Sequence, residues 1–88
     1  MHITARGPYT LTAIHCFTSD HGNPVRSLTI SDVNTNELHL PCASERELRT
    51  LAAAFPLAEN VSMALSLGER PMRDPQTIRR WINGDDVI

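Results

Sequence analysis

Lysine is absent from this chain, and all eight basic residues are arginine. Codon bias in a GC-rich genome produces such a replacement. So does a use for forked, planar contacts that an ammonium group cannot make. With ten acids the formal charge is −2, which excludes a strongly basic nucleic-acid glove. It also excludes an acidic mimic of DNA, which would need a far larger negative excess. Aromatic residues make up only 5% against 41% apolar overall, so the core must be built from Leu, Ile, Val, Ala and Met. Cysteine is limited to Cys16 and Cys42, too few for a disulfide framework. No apolar run approaches the roughly 20 residues of a membrane span, and none follows Met1-His2-Ile3-Thr4-Ala5-Arg6. The expectation is a protein without a signal peptide or membrane contact, located in the cytoplasm with reduced thiols.

The glycines, Gly7, Gly22, Gly68 and Gly84, are too scattered for a phosphate-cradling loop. Carboxylates are not paired in a way that suits acid–base chemistry. Asp85-Asp86 belongs to a terminal tail, and Glu45 and Glu47 suit the first turn of a helix. Asn60-Val61-Ser62 matches a glycosylation acceptor, which has no meaning without secretion. The 88 residues are expected to form one domain, residues 1–88. A chain this short buries about 60–65% of its unfolded surface. Oligomerisation or docking on a larger partner would relieve so thin a core.

Residues 1–8 end in Gly7-Pro8 and read as irregular. Tyr9 to Thr18 is rich in Thr, Ile and aromatic residues and reads as a strand. Strict alternation groups Tyr9, Leu11, Ala13, His15 and Phe17 on one face. It leaves Thr10, Thr12, Ile14, Cys16 and Thr18 on a wetter one. Ser19-Asp20-His21-Gly22-Asn23-Pro24 is a cluster of turn formers. Val25 to Val33 reads as a second strand, with Leu28 and Ile30 inward. After Asn34-Thr35-Asn36, Glu37 to Cys42 reads as a third, with Leu38, Leu40 and Cys42 inward and His39 outward. Pro41 has no amide for a ladder, so that strand either lies at an edge or ends there. Such an edge could accept a strand from a partner or a second copy.

Ser44 with Glu47 three residues on is a capping box, and Ala43 and Leu48 can staple it. Leu48, Leu51, Ala52 and Phe55 form one stripe of the helix, with Arg46 and Arg49 off it. Pro56 stops it. Residues 57–68 read two ways. Val61, Met63, Leu65 and Leu67 alternate as in a strand, whereas the Ala, Leu and Met content favours helix. The unbroken alternation favours strand. Asp74 can cap a final helix, Pro75 suits its first position, and Gly84 can close it. The predicted fold is α+β, in the order β-β-β-α-β-α. It is an antiparallel sheet of three or four strands (a β-meander) with one helix packed on a face and a short C-terminal helix. The sheet's Thr- and Ser-rich face is left exposed or serves as an interface.

His15-Cys16 and His39-x-x-Cys42 supply zinc-type ligands. However, adjacent strand residues point to opposite faces, which fits a metal site poorly. Cys42 lies just before a helix N-terminus, where a thiol pKa can fall. No orienting group or oxyanion hole accompanies it. The expectation is therefore no enzyme, no metal and no cofactor.

The final helix is the remaining candidate. Ile78, Trp81 and Ile82 share one face, with Arg79 and Arg80 outside it. Arg70 and Arg73 precede it. Thr77-Ile78-Arg79-Arg80-Trp81-Ile82-Asn83-Gly84 resembles the end of a helix-turn-helix recognition helix, where Thr-Ile-x-Arg-Trp-x-x-Gly runs are frequent. The resemblance covers about eight residues. It implies DNA contact by Gln76, Thr77, Arg79 and Arg80 in a transcriptional regulator. The stretch from Gly68 to Ile78, with Pro71 and Pro75, is longer than the turn of that motif.

The function expected first is a non-enzymatic protein-binding module. It would be a stand-alone small regulator or inhibitor that occupies a surface of a larger assembly. Small phage-encoded inhibitors such as anti-CRISPR proteins share this scale, not this sequence. Arg70, Arg73, Arg79 and Arg80 form the expected binding rim, with Tyr9 or Trp81 as anchor. A protein partner ranks before nucleic acid, and a homodimer is compatible with either.

Overall fold

The computed structural model describes residues 9–85. The irregular N-terminal stretch expected over residues 1–8, and the end of the expected tail at residues 86–88, lie outside them. Six elements follow in chain order. These are β1 (Thr10–Thr18), β2 (Pro24–Ser31), β3 (Glu37–Pro41), α1 (Glu45–Ala52), β4 (Leu57–Ala64) and α2 (Pro75–Ile82). The β-β-β-α-β-α order is the one predicted, and residues 57–64 are strand.

The sheet runs β3-β2-β1-β4. β1 and β2 are antiparallel, as are β2 and β3, but β4 runs parallel to β1. The sheet is therefore mixed and not the antiparallel one expected. The reason is topological. α1 carries the chain back along the sheet, so the next strand must start from the same end as β1.

Alternation along β1 is also broken. The register slips between Leu11 and Ala13, so that Leu11 and Ile14 are both fully buried. An extra residue in one strand of a pair is a β-bulge, and it turns all later side chains to the opposite face. Here it brings Ile14 and Cys16 to the core side and sends Ala13, His15 and Phe17 to the other. This overturns the two faces expected from alternation. The Thr12 hydroxyl donates to the Thr29 carbonyl at 3.1 Å across the irregularity.

The core is one cluster. The sheet supplies Leu11, Ile14, Leu28, Ile30, Val61 and Met63. α1 and its exit supply Leu48, Ala52 and Phe55, and α2 supplies Ile78, Trp81 and Ile82.

The turns end each strand. Asp32 gathers the turn after β2: its carboxylate accepts from the Asn34 and Asn36 amides, both at 2.9 Å. That stops β2 short of the expected Val33, which is left 84% exposed. Ser44 caps α1, accepting from the Glu47 amide at 3.1 Å. Glu47 returns to the Ala43 amide at 3.4 Å, one residue earlier than a standard capping box. At α2 the Asp74 carboxylate takes the Thr77 hydroxyl at 2.6 Å rather than capping a backbone amide. The other end closes with paired bonds, Gly84 N–H to Trp81 carbonyl and Asp85 N–H to Arg80 carbonyl. Gly84 sits at φ 98°, where a side chain would be strained.

Candidate functional site

Two surfaces among the described residues bear on function: the arginine end around α2, and the side of the sheet away from the helices.

At the arginine end the sequence candidates separate. Trp81 is 5% exposed and lies in the core, so it offers no anchor to a partner. Tyr9 is half-buried against the same cluster. Arg79 reaches inward and donates to the Phe55 carbonyl at 3.2 Å, tying α2 to the exit of α1. Arg80 is exposed and pairs with Asp85 at 3.5 Å. Arg70 and Arg73 are exposed. Of the four arginines expected at a rim, Arg70, Arg73 and Arg80 are exposed. Arg70 borders an open groove of ≈ 390 Å³ floored by Met63, Leu65 and Met72.

Sequence reasoning missed the arginine that interacts most with α2. Arg49 of α1 sets its guanidinium 4.0 Å from the Trp81 ring centroid. It also donates to the Trp81 carbonyl at 2.7 Å and to Glu45 at 3.0 Å. An arginine one turn after a glutamate was the visible signal; its second partner, across the helix pair, was not.

The helix-turn-helix resemblance loses its context. The element before α2 is strand β4, and the nearest helix, α1, lies on the far side of it in sequence. Of the residues that resemblance implies, Gln76 and Arg80 are exposed, while Thr77 and Arg79 are engaged within the protein.

The cysteine and histidine pairs are divided by the sheet. Cys16 and Cys42 pack against the core. His15 and His39 stand on the opposite face, where the His39 ring nitrogen meets the Thr29 hydroxyl at 3.0 Å. Among the described residues no cluster of three or more His, Cys, Asp or Glu is placed to hold a metal. Burial, the neighbouring Glu45 charge and its hydrogen bond to the thiol push Cys16 up from the ordinary thiol pKa. Burial and Glu47 do the same for Cys42. A nucleophilic cysteine needs the reverse. Cys16 lies opposite Arg26, and the Cys42 amide bonds to the Arg26 carbonyl at 2.8 Å. The backbones of the two cysteines therefore lie on either side of β2, their Cα atoms about 10 Å apart, too far for a disulfide.

The other surface is the open side of the sheet. It carries Ala13, His15 and Phe17 of β1 beside Thr29, Ser27 and Val25 of β2. Ser62 and Ala64 of β4 lie next to Ala13 and His15. The His15 and Phe17 rings meet edge to face, with centroids 6.2 Å apart and planes at 81°. Both are half-exposed, and among the described residues no helix or strand lies over them. Thr29, at 5% exposure, is the only one of these residues that is buried.

No family model matches this chain, and the searches of curated proteins and of solved structures likewise return no match. Among the described residues no helix is long and apolar enough to cross a membrane.

Proposed function

We propose that this chain is a non-enzymatic protein-binding module, a small regulator or inhibitor that acts by covering a surface of a larger assembly. The open side of the sheet supports that reading. It is built of small side chains around one aromatic pair, and among the described residues no helix or strand is layered on it. Half-buried aromatic residues among small neighbours are the usual centre of a protein interface. Arg70, Arg73 and Arg80 are exposed toward the other end of the chain.

The test is capture of partners by three immobilised proteins, with and without nuclease. These are the wild type, a Phe17→Asp variant, and a triple Arg70→Ala, Arg73→Ala, Arg80→Ala variant. A stoichiometric protein retained by the wild type and the triple variant but lost with Phe17→Asp is the expected result. Loss with the triple variant alone moves the contact to the arginines. Material that disappears with nuclease points to the second reading, nucleic-acid contact through those exposed arginines. Its affinity would then fall steeply with salt, in proportion to the phosphate contacts made. Capture of nothing by any of the three overturns both readings.

A further inference from the structure

The two edges of the sheet differ. At β4 the outer edge is crossed by the chain on its way to α2: Met63 and Met72 exchange both backbone hydrogen bonds at 2.8 Å. Among the described residues nothing lies across the outer edge of β3. That strand reads Glu37-Leu38-His39-Leu40-Pro41, with a leucine on either side of His39.

The direction of its backbone groups follows from one bond. The Cys42 amide bonds to Arg26 of β2, and Leu28 stands opposite Leu40, with Ile30 opposite Leu38. In an antiparallel pair the residues alternate between bonding the neighbour and pointing away from it. Leu38 and Leu40 therefore bond β2, while Glu37, His39 and Pro41 present their backbone groups outward. Pro41 falls at an outward position, where its missing N–H takes nothing from the ladder.

We propose that β3 is a self-complementary edge that joins a second copy of this chain. The pairing is antiparallel, about a two-fold axis through His39. In that register His39 faces its own copy, and the two exchange both backbone bonds. Each Glu37 N–H meets the carbonyl of the partner's Pro41. The missing proline N–H then falls at the ends of the joined pair, where water reaches the unpaired carbonyl. Each Leu38 lies beside the partner's Leu40, in the closely spaced type of pair. This accounts for Leu38, which is 46% exposed although it lies on the core side of the sheet. The two sheets become one of eight strands, and β3 ceases to be an edge. The interface is isologous, as a two-fold requires. It does not depend on the open face, so it stands or falls separately from the partner reading above.

The test is sedimentation equilibrium of the full chain from about 10 μM to 500 μM. The wild type is expected to dimerise. Leu38→Lys should raise the dissociation constant at least tenfold while circular dichroism and the melting temperature of the monomer stay the same. Register is read by mild oxidation of single-cysteine additions, with the wild type as control for Cys16 and Cys42. His39→Cys should form an intermolecular disulfide with itself, and Leu38→Cys should not. Should Leu38→Lys fail to fold, the cysteine pair decides alone. A wild type that stays monomeric at 500 μM overturns the proposal. So does a dimer that Leu38→Lys leaves intact, or self-linking through Leu38→Cys in preference to His39→Cys.

Discussion

Arg49 lies over the ring of Trp81 at 4.0 Å and donates to the carbonyl of that same residue at 2.7 Å. One side chain of α1 thus holds both the face of the tryptophan and the carbonyl end of its helix. A cation there complements the α2 macrodipole and adds a second donor to a carbonyl that already accepts from the Gly84 N–H. Replacing Arg49 with Ala should lower stability by about 2 kcal/mol. Loss of a charged hydrogen bond and of a cation–π contact accounts for most of that. Lysine should recover only part of it, since it can stack or reach the carbonyl but lacks the fork. Urea unfolding of the three proteins measures the difference.

The four arginines at the C-terminal end should separate by their effect on stability. Arg79→Ala removes the bond to the Phe55 carbonyl and should cost about 1 kcal/mol. Arg70→Ala, Arg73→Ala and Arg80→Ala should each change stability by less than about 0.5 kcal/mol. Thermal denaturation of single variants reads this directly. An Arg79→Ala protein as stable as the others would remove its bond from the account of how α2 is held.

Acid should destabilise the turn between β2 and β3. The Asn36 amide, with help from Asn34, holds the exposed Asp32 carboxyl below the usual carboxylate range. In the window between its folded value and the ordinary value of about 3.9, the unfolded chain binds more protons. The contribution of Asp32 is therefore complete above about pH 4 and disappears as pH falls through the folded value. Asp32→Asn should melt lower than the wild type at pH 7, and the gap should close by about pH 2. A gap independent of pH would mean that the carboxylate charge has no part in the turn.

Native thiols should react slowly. Burial and the nearby carboxylates favour the protonated form of Cys16 and Cys42, and only the thiolate attacks. Iodoacetamide at neutral pH should label both far faster in urea than in the folded protein. Glu45→Gln should speed labelling of Cys16, and Glu47→Gln that of Cys42. Peptide mapping by mass spectrometry assigns each rate. Equal rates for folded and unfolded protein would contradict the placement of both residues.

The elements were legible because each carries its own local chemistry. Ser44 and Glu47 mark the start of α1, Asp74-Pro75 and Gly84 bound α2, and Pro41 identifies an edge strand. What was not legible depends on residues distant in sequence. The slip at Leu11–Ala13 leaves no mark on composition, yet it decides that Phe17 faces outward and Ile14 inward. The parallel seat of β4 is fixed by where α1 delivers the chain, not by the residues of β4. Trp81 and Arg79 read as a displayed pair because local spacing cannot show that α1 supplies Arg49, and the turn after it the Phe55 carbonyl, to receive them. Of the four arginines expected at a rim, Arg70, Arg73 and Arg80 are exposed and Arg79 is half-buried, while Trp81, expected as an anchor, is buried.

The parallel pairing of β1 with β4 also sets an order of assembly. Among the described residues β1 comes first of the four strands, and one of its two neighbours, β4, comes last: Leu11 lies beside Leu57, and its amide bonds to the Pro56 carbonyl at 2.8 Å. Until β4 leaves the ribosome, the strand that ends up inside the sheet is an open edge carrying Leu11 and Ile14. The hairpins can form early, since their contacts are local. The core cannot close until α2 is present, and the long-range closure of β1 on β4 is the step that should set the folding rate.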